Sequence, residues 1–160
     1  MVEKNFPVRK RIRLPLSSYQ KGNAFFITIS TYMRYPWFKV HRELADFGVQ
    51  LLCQMGTVPG TRLYAWCIMP DHIHLLLEAN EIVEFVRLFK GRMVPKALAL
   101  ERNRRLWQRS FYDHGIRKEE SLQAIALYIW ENPVRAGIVD CPQRYTWSGS
   151  QVWPNWRESR

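Results

Sequence analysis

Residues 69 to 78 read MPDHIHLLLE, an apolar run interrupted by His72 and His74. Side chains alternate faces in an extended chain, so a strand here projects both imidazoles from one side while Ile73 and Leu75 point to the other. That pair is either hydrogen-bonded inside a polar pocket or half of a metal site, and spacing alone leaves both open. Upstream, RLYAWCIM (62–69) has the β-branched and aromatic character of a strand, and Pro70-Asp71 makes a short turn. The two segments therefore predict an antiparallel hairpin at the middle of a sheet.

Working outward, AFFITISTY (24–32) predicts a further strand. From Arg42 to Gln54, Leu44, Phe47, Leu51 and Leu52 recur at helical spacing, and Gly56, Pro59 and Gly60 stop that helix. A second amphipathic helix is expected over 81–101 from Ile82, Phe85, Phe89, Met93, Ala97 and Leu100, with a kink or break around 91–94 because Pro95 removes a backbone donor. RLWQRSFYDHGIR (105–117) gives a fourth strand or strand-like loop. EESLQAIALYIWEN (119–132) gives a third helix ending at Pro133, and 133–160 reads as irregular and aromatic. The order strand, helix, strand, strand, helix, strand, then an extra helix, fits an α+β ferredoxin-like antiparallel sheet with helices packed on one face.

The chain of 160 residues, 47% apolar and 14% aromatic, suits one globular domain. Its 24 Lys and Arg against 14 Asp and Glu give a net charge of +10, which attracts polyanions, nucleic acid first among them. One basic cluster, Arg9, Lys10, Arg11 and Arg13, lies in an N-terminal arm of residues 1–22. Another runs from Arg87 and Lys90 through Arg104 and Arg105 to Arg109, opposed only by Glu101. Cys53, Cys67 and Cys141 are too scattered for a disulfide framework or a cysteine zinc site. No stretch suits a membrane span or a signal peptide, so a cytoplasmic protein is expected.

On the third helix, Leu122, Ile125, Ala126 and Ile129 form the sector that faces the sheet, with Tyr128 and Asn132 one turn apart at its edge. From there a tyrosine can reach across the sheet edge toward His72 and His74. Taken singly, Tyr128 reads as an amphipathic boundary residue and Asn132 as a helix terminator. Together with the histidines they form a nitrogen and oxygen set suited to Mg²⁺ or Mn²⁺. A metal polarises a phosphate, and a nearby tyrosine hydroxyl can attack the phosphorus.

MPDHIHLLLE, RLFKGRM, LWQRSFYDHGIR, YIWENPVRAGIV and QRYTWSG, in that order from about Phe25 to Gly149, resemble the single-tyrosine HUH transposases, specifically the REP-associated tyrosine transposases. The resemblance implies a ferredoxin-like HUH domain over 23–140 and an extra helix carrying the nucleophilic Tyr128. It also implies metal binding by His72, His74 and Asn132. It implies a metal-dependent single-stranded DNA endonuclease and transposase that nicks, and can rejoin, DNA beside a short hairpin, a REP-like palindrome, through a 5′-phosphotyrosine intermediate. A monomer is expected, with a dimer that shares active sites as the alternative. Arg9, Lys10, Arg11, Arg13, Arg87, Lys90, Arg104 and Arg105 are the expected DNA-binding residues, and Trp147, Trp153 and Trp156 either stack on unpaired bases or pack in the core. Tyr112 and His114 are expected to pack or to face DNA, with Asp113 as polar support. Asp71, read as lying on the opposite strand face, is not expected to serve the histidines. Residues 141–160 form an aromatic and basic tail. A catalytically silent hairpin-binding protein and a water-activating metal hydrolase are the rival functions.

Overall fold

The computed structural model describes residues 23–117 and 120–158. The basic cluster Arg9, Lys10, Arg11 and Arg13 lies outside them. In chain order the elements are β1 (Phe25–Ser30), α1 (Trp37–Val40), α2 (Arg42–Met55), β2 (Arg62–Met69), β3 (His72–Glu78), α3 (Ile82–Leu100), β4 (Tyr112–Gly115), α4 (Leu122–Trp130), α5 (Asn132–Arg135) and β5 (Ser148–Gly149). The strands form one antiparallel sheet in the order β4-β1-β3-β2-β5. Its first four strands have the ferredoxin-like arrangement that the element order predicts, with the β2–β3 hairpin in the interior.

Alternation along the strands divides the molecule into two cores. Phe25, Ile27 and Ile29 of β1 and Ile73, Leu75 and Leu77 of β3 face α1, α2 and α3, where Trp37, Phe38, Leu44, Leu52, Phe89 and Met93 are buried. Each such large side chain contributes about 1.5–3 kcal/mol. The opposite face carries Phe26, Tyr64, Ala65, Cys67, Met69 and Leu76, and here α4 packs through Ala126, Ile129 and Trp130. A register shift between Leu63 and Ala65 lets the adjacent Tyr64 and Ala65 share that second core. The extra helix therefore lies over the sheet face, across β2 and β3, and Tyr128 does not have to reach around an edge. Of the expected sheet-facing sector, Leu122 and Ile125 are only half-buried, and Trp130 takes their place.

Two further expectations are corrected. The helix α3 continues from Ile82 to Leu100 through Pro95, with no break at 91–94. The residue whose carbonyl a proline at 95 would crowd is Gly91, and both positions are exposed, so water reaches the unpaired carbonyl while Met93 and Ala97 hold the buried side. The segment after Pro133 is not wholly irregular. Pro133 sits in the first turn of α5, where its missing N–H is harmless, and β5 adds an edge strand on β2.

Trp147, Trp153 and Trp156 are packing residues. Trp156 is 8% exposed and lies flat on Trp130, with ring centroids 4.3 Å apart. Trp153 packs on Tyr64 and Trp130, while Trp147 meets Tyr145 and donates to Asp46 at 2.8 Å. Residues 145–157 are tied to the sheet by Tyr145 Oη donating to the Ile68 carbonyl and by Arg157 donating to the Tyr145 and Ser148 carbonyls.

Candidate active site

Register places the site before any side chain is considered. Ser30 pairs with His72 and Thr28 with His74 across β1 and β3, so these four share the face under α4. The signal lay in FFITIS, where Phe26, Thr28 and Ser30 alternate with the apolar Phe25, Ile27 and Ile29.

The two Nε2 atoms of His72 and His74 converge to 3.1 Å, with their rings 4.6 Å apart and nearly perpendicular. Their far nitrogens are held from outside the pair. His72 Nδ1 donates to Asp71 Oδ1 at 2.7 Å, and His74 Nδ1 lies 2.9 Å from Thr28 Oγ1, which can accept in the same way. With the far nitrogens so partnered, Nε2 is the lone-pair nitrogen of each ring, and two of them 3.1 Å apart repel unless a cation or a proton lies between them. Two imidazole nitrogens this close are a donor pair with which His72 and His74 would hold a divalent ion. The structure thus moves Asp71 from an assumed bystander to the partner of His72. Strand alternation fails for it because it belongs to the turn, which Thr31 fixes by donating from N and Oγ1 to the Asp71 carbonyl.

Electrostatics favour the neutral form of His74. Burial, then the nearby charges of His72, Arg135 and Arg34, hold His74 well below its ordinary value of 6.5, with Asp71 opposing. The His72 hydrogen bond, aided by Arg34, holds the Asp71 carboxyl below the usual carboxylate range.

Phe26 connects this pair to Tyr128. Its ring stacks on His74 at 5.3 Å and meets Tyr128 edge-on at 6.3 Å. The helix α4 begins at the N-cap Ser121, whose hydroxyl accepts from Ala124 N, and its buried residues Ala126 and Ile129 turn the partly buried Tyr128 along the sheet face. Arg135 covers the phenol ring, its guanidinium carbon 4.2 Å from the ring centre, and donates to the Tyr128 carbonyl at 2.6 Å. Sequence reading assigned Arg135 no part.

Asn132 is not brought to the histidines by its hydrogen bonds. Its Nδ2 donates to the carbonyls of Tyr128 and Ile129, each at 3.2 Å, capping the end of α4. Among the described residues, no group of three or more His, Cys, Asp or Glu side chains comes together as a metal centre. Tyr112 lies on the same face, opposite Thr28 in register and edge-on to Phe26, while Asp113 is buried and His114 pairs with Glu120.

The basic residues of the second cluster have varied partners. Lys90 Nζ donates to the carbonyls of Gln108 and Ser110, each at 2.9 Å, pinning the strand-like loop to α3. Arg87 pairs with Glu84 one turn away. Arg104 pairs with Glu101 and covers Tyr35, and Arg105 lies over Tyr32, in the turn that leads to Arg34. No helix among the described residues is long and apolar enough to cross a membrane.

A family model described as transposase, IS200-like, matches residues 23–132, which include the whole constellation up to Asn132. A Haemophilus influenzae protein named as a REP-associated tyrosine transposase is 33% identical over 98 residues, 52% of this chain and 56% of that one, so this chain spans little more than half of that relative's length. A second Haemophilus influenzae protein, itself uncharacterised, is 26% identical over 159 residues, covering 79% of this chain and 88% of that one. A solved structure of a REP-associated tyrosine transposase bound to a REP hairpin shares the fold, with a TM-score of 0.67 and 21% identity, covering 88% of this chain and 82% of that chain. With most of its length under that family model and the same fold beneath its histidine face, the chain belongs to the IS200-like transposase family.

Proposed function

We propose that this chain is a transposase of the REP-associated tyrosine branch, a metal-dependent endonuclease that nicks single-stranded DNA beside a short hairpin and forms a 5′-phosphotyrosine intermediate. The observation that carries the reading is the convergence of His72 and His74 Nε2 at 3.1 Å, with Tyr128 one aromatic ring away on the same face. His72 and His74 would hold the ion, Mg²⁺ or Mn²⁺, with oxygen ligands from Asn132 after a side-chain turn, from water or from DNA. Bound there, it would polarise the phosphodiester and offset its developing charge.

The chain's own residues do the rest. Asp71 and Thr28 fix the imidazole tautomers, and α4 delivers the Tyr128 hydroxyl along the sheet face. In the nicking step the Tyr128 Oη–P bond forms and the P–O3′ bond breaks. The proton lost by tyrosine is balanced by the one gained on the 3′ oxygen, giving a free 3′-hydroxyl and a 5′-phosphotyrosine. Attack by a 3′-hydroxyl on that bond reverses the step and rejoins a strand. The histidines and Tyr128 share one face of one chain, which supports action as a monomer.

Positive charge supplies the affinity: Arg105 at the rim, Arg87 and Arg104 on the α3 side, and the arm residues Arg9, Lys10, Arg11 and Arg13 are the proposed phosphate contacts, Lys90 acting through the loop it pins. The test is to incubate the protein with a single strand bearing a hairpin and an unpaired flank, in Mg²⁺ or Mn²⁺. A protein band of increased mass in a denaturing gel is expected. Cleavage with no adduct would instead favour activated water, and tight binding with no cleavage a silent hairpin binder.

A further inference from the structure

Arg34 belongs to none of the motifs above, yet the backbone bends unusually to place it. Met33 (φ 55°, ψ 20°) and Arg34 (φ 56°) are consecutive left-handed residues without a glycine or asparagine to ease the conformation. Met33 is 81% exposed, so the turn is not made to bury its side chain. What the turn achieves is to fold the Arg34 guanidinium back onto the ends of β1 and β3. There Nη1 donates to Ser30 Oγ at 3.1 Å, Nε donates to Asp71 Oδ2 at 3.1 Å, and Nη2 stands 3.4 Å from His72 Nδ1.

The Arg34 side chain is 54% exposed, so a ligand can reach the guanidinium while it stays on Asp71. Asp71 also accepts from His72 through its other oxygen, so the one carboxylate at this spot is shared by two donors. Of the five N–H donors of an arginine, one serves Ser30 and one Asp71, while His72 Nδ1, itself a donor to Asp71, takes none, which leaves three for a ligand beside His72. A carboxylate shared with His72 and an open guanidinium fork make a place for an anion, and the planar fork matches phosphate oxygens.

We propose that Arg34 holds the phosphate at which the strand is cut, donating from its remaining N–H groups to a non-bridging oxygen. The inference rests on the function proposed above, that this face cuts a phosphodiester. It adds a substrate contact independent of the nucleophile.

The test measures binding. The position cut by the wild-type chain is first read from its adduct. The Tyr128→Phe chain, in EDTA, is then titrated with two hairpin-bearing strands, one natural and one carrying a neutral methylphosphonate at that position. With Arg34 present the natural strand should bind about 10-fold more tightly or better, and with Arg34→Gln that preference should vanish. Arg34→Asn, which tolerates the left-handed backbone, repeats the comparison if the Gln variant melts early. Equal affinity for both strands with Arg34 present, or an undiminished preference without it, overturns the inference while leaving the function intact. A wild-type chain that cuts nothing sinks the function reading, and this inference with it.

Discussion

His72 and His74 face each other through Nε2 at 3.1 Å, and each is held from behind, His72 by Asp71 at 2.7 Å and His74 by Thr28 at 2.9 Å. Nothing in that arrangement needs DNA to assemble it. His72→Ala and His74→Ala should each lower cleavage at least about 100-fold, as should EDTA on the wild type, while hairpin binding persists because Arg34 and the other basic residues are retained. Single-turnover cleavage and a parallel binding titration check this. Undiminished cleavage by either variant, or in excess EDTA, contradicts the metal site.

Glu101 ties the end of α3 to the segment that follows β1. It accepts from His41, Arg104 and Tyr35, at 2.7, 2.6 and 3.0 Å, and these bonds, His41 first, hold its carboxyl down from an ordinary 4.5 to about 2. A folded pKa below the unfolded one means that the unfolded chain binds the proton more readily. The stabilisation is therefore complete above about pH 4.5 and is lost as pH falls toward 2. Glu101→Gln should melt below wild type at pH 6, with the two melting temperatures converging between pH 4.5 and 2. A constant gap across that window would refute the assignment.

Trp156 separates packing from DNA contact. Trp130 covers one face of its indole and the Arg157 guanidinium lies 4.6 Å from its centre, so it has little room for an unpaired base. Trp156→Ala should cost about 3–5 kcal/mol in denaturant unfolding and leave the affinity of the folded protein for a hairpin strand within about twofold. Unchanged stability with lost affinity would restore the stacking role.

The sheet and its histidine face were legible because strand alternation is a local rule. RLYAWCIM and HIHLLLE became β2 and β3 at the expected places, and the family resemblance built on the ordered motifs is borne out by the match over residues 23–132. What escaped depended on non-local geometry. Asp71 sits in a turn, where period two has no authority, and its carboxylate swings back to His72. Arg34 is delivered by a left-handed turn at Met33 and Arg34, positions that lack the usual glycine signal. Arg135 reaches Tyr128 only because α5 starts a new helix after Glu131. Pro95 misled because its partner carbonyl belongs to an exposed glycine.

The nucleophile is the central claim, and two tyrosines meet the same Phe26 ring: Tyr128 from α4 at 6.3 Å and Tyr112 from β4 at 6.5 Å. The deciding measurement is the covalent adduct formed on a hairpin-bearing strand labelled at one end or the other. Attack by Tyr128 with the 3′ oxygen leaving keeps the protein on the 5′ end of the downstream fragment. A 3′-labelled strand should then give the shifted protein band and a 5′-labelled strand should not. Tyr128→Phe, which removes one oxygen and little volume, should abolish that band while hairpin binding survives, and Tyr112→Phe should keep it. An adduct that persists in Tyr128→Phe, or that carries the 5′ label, would contradict the account.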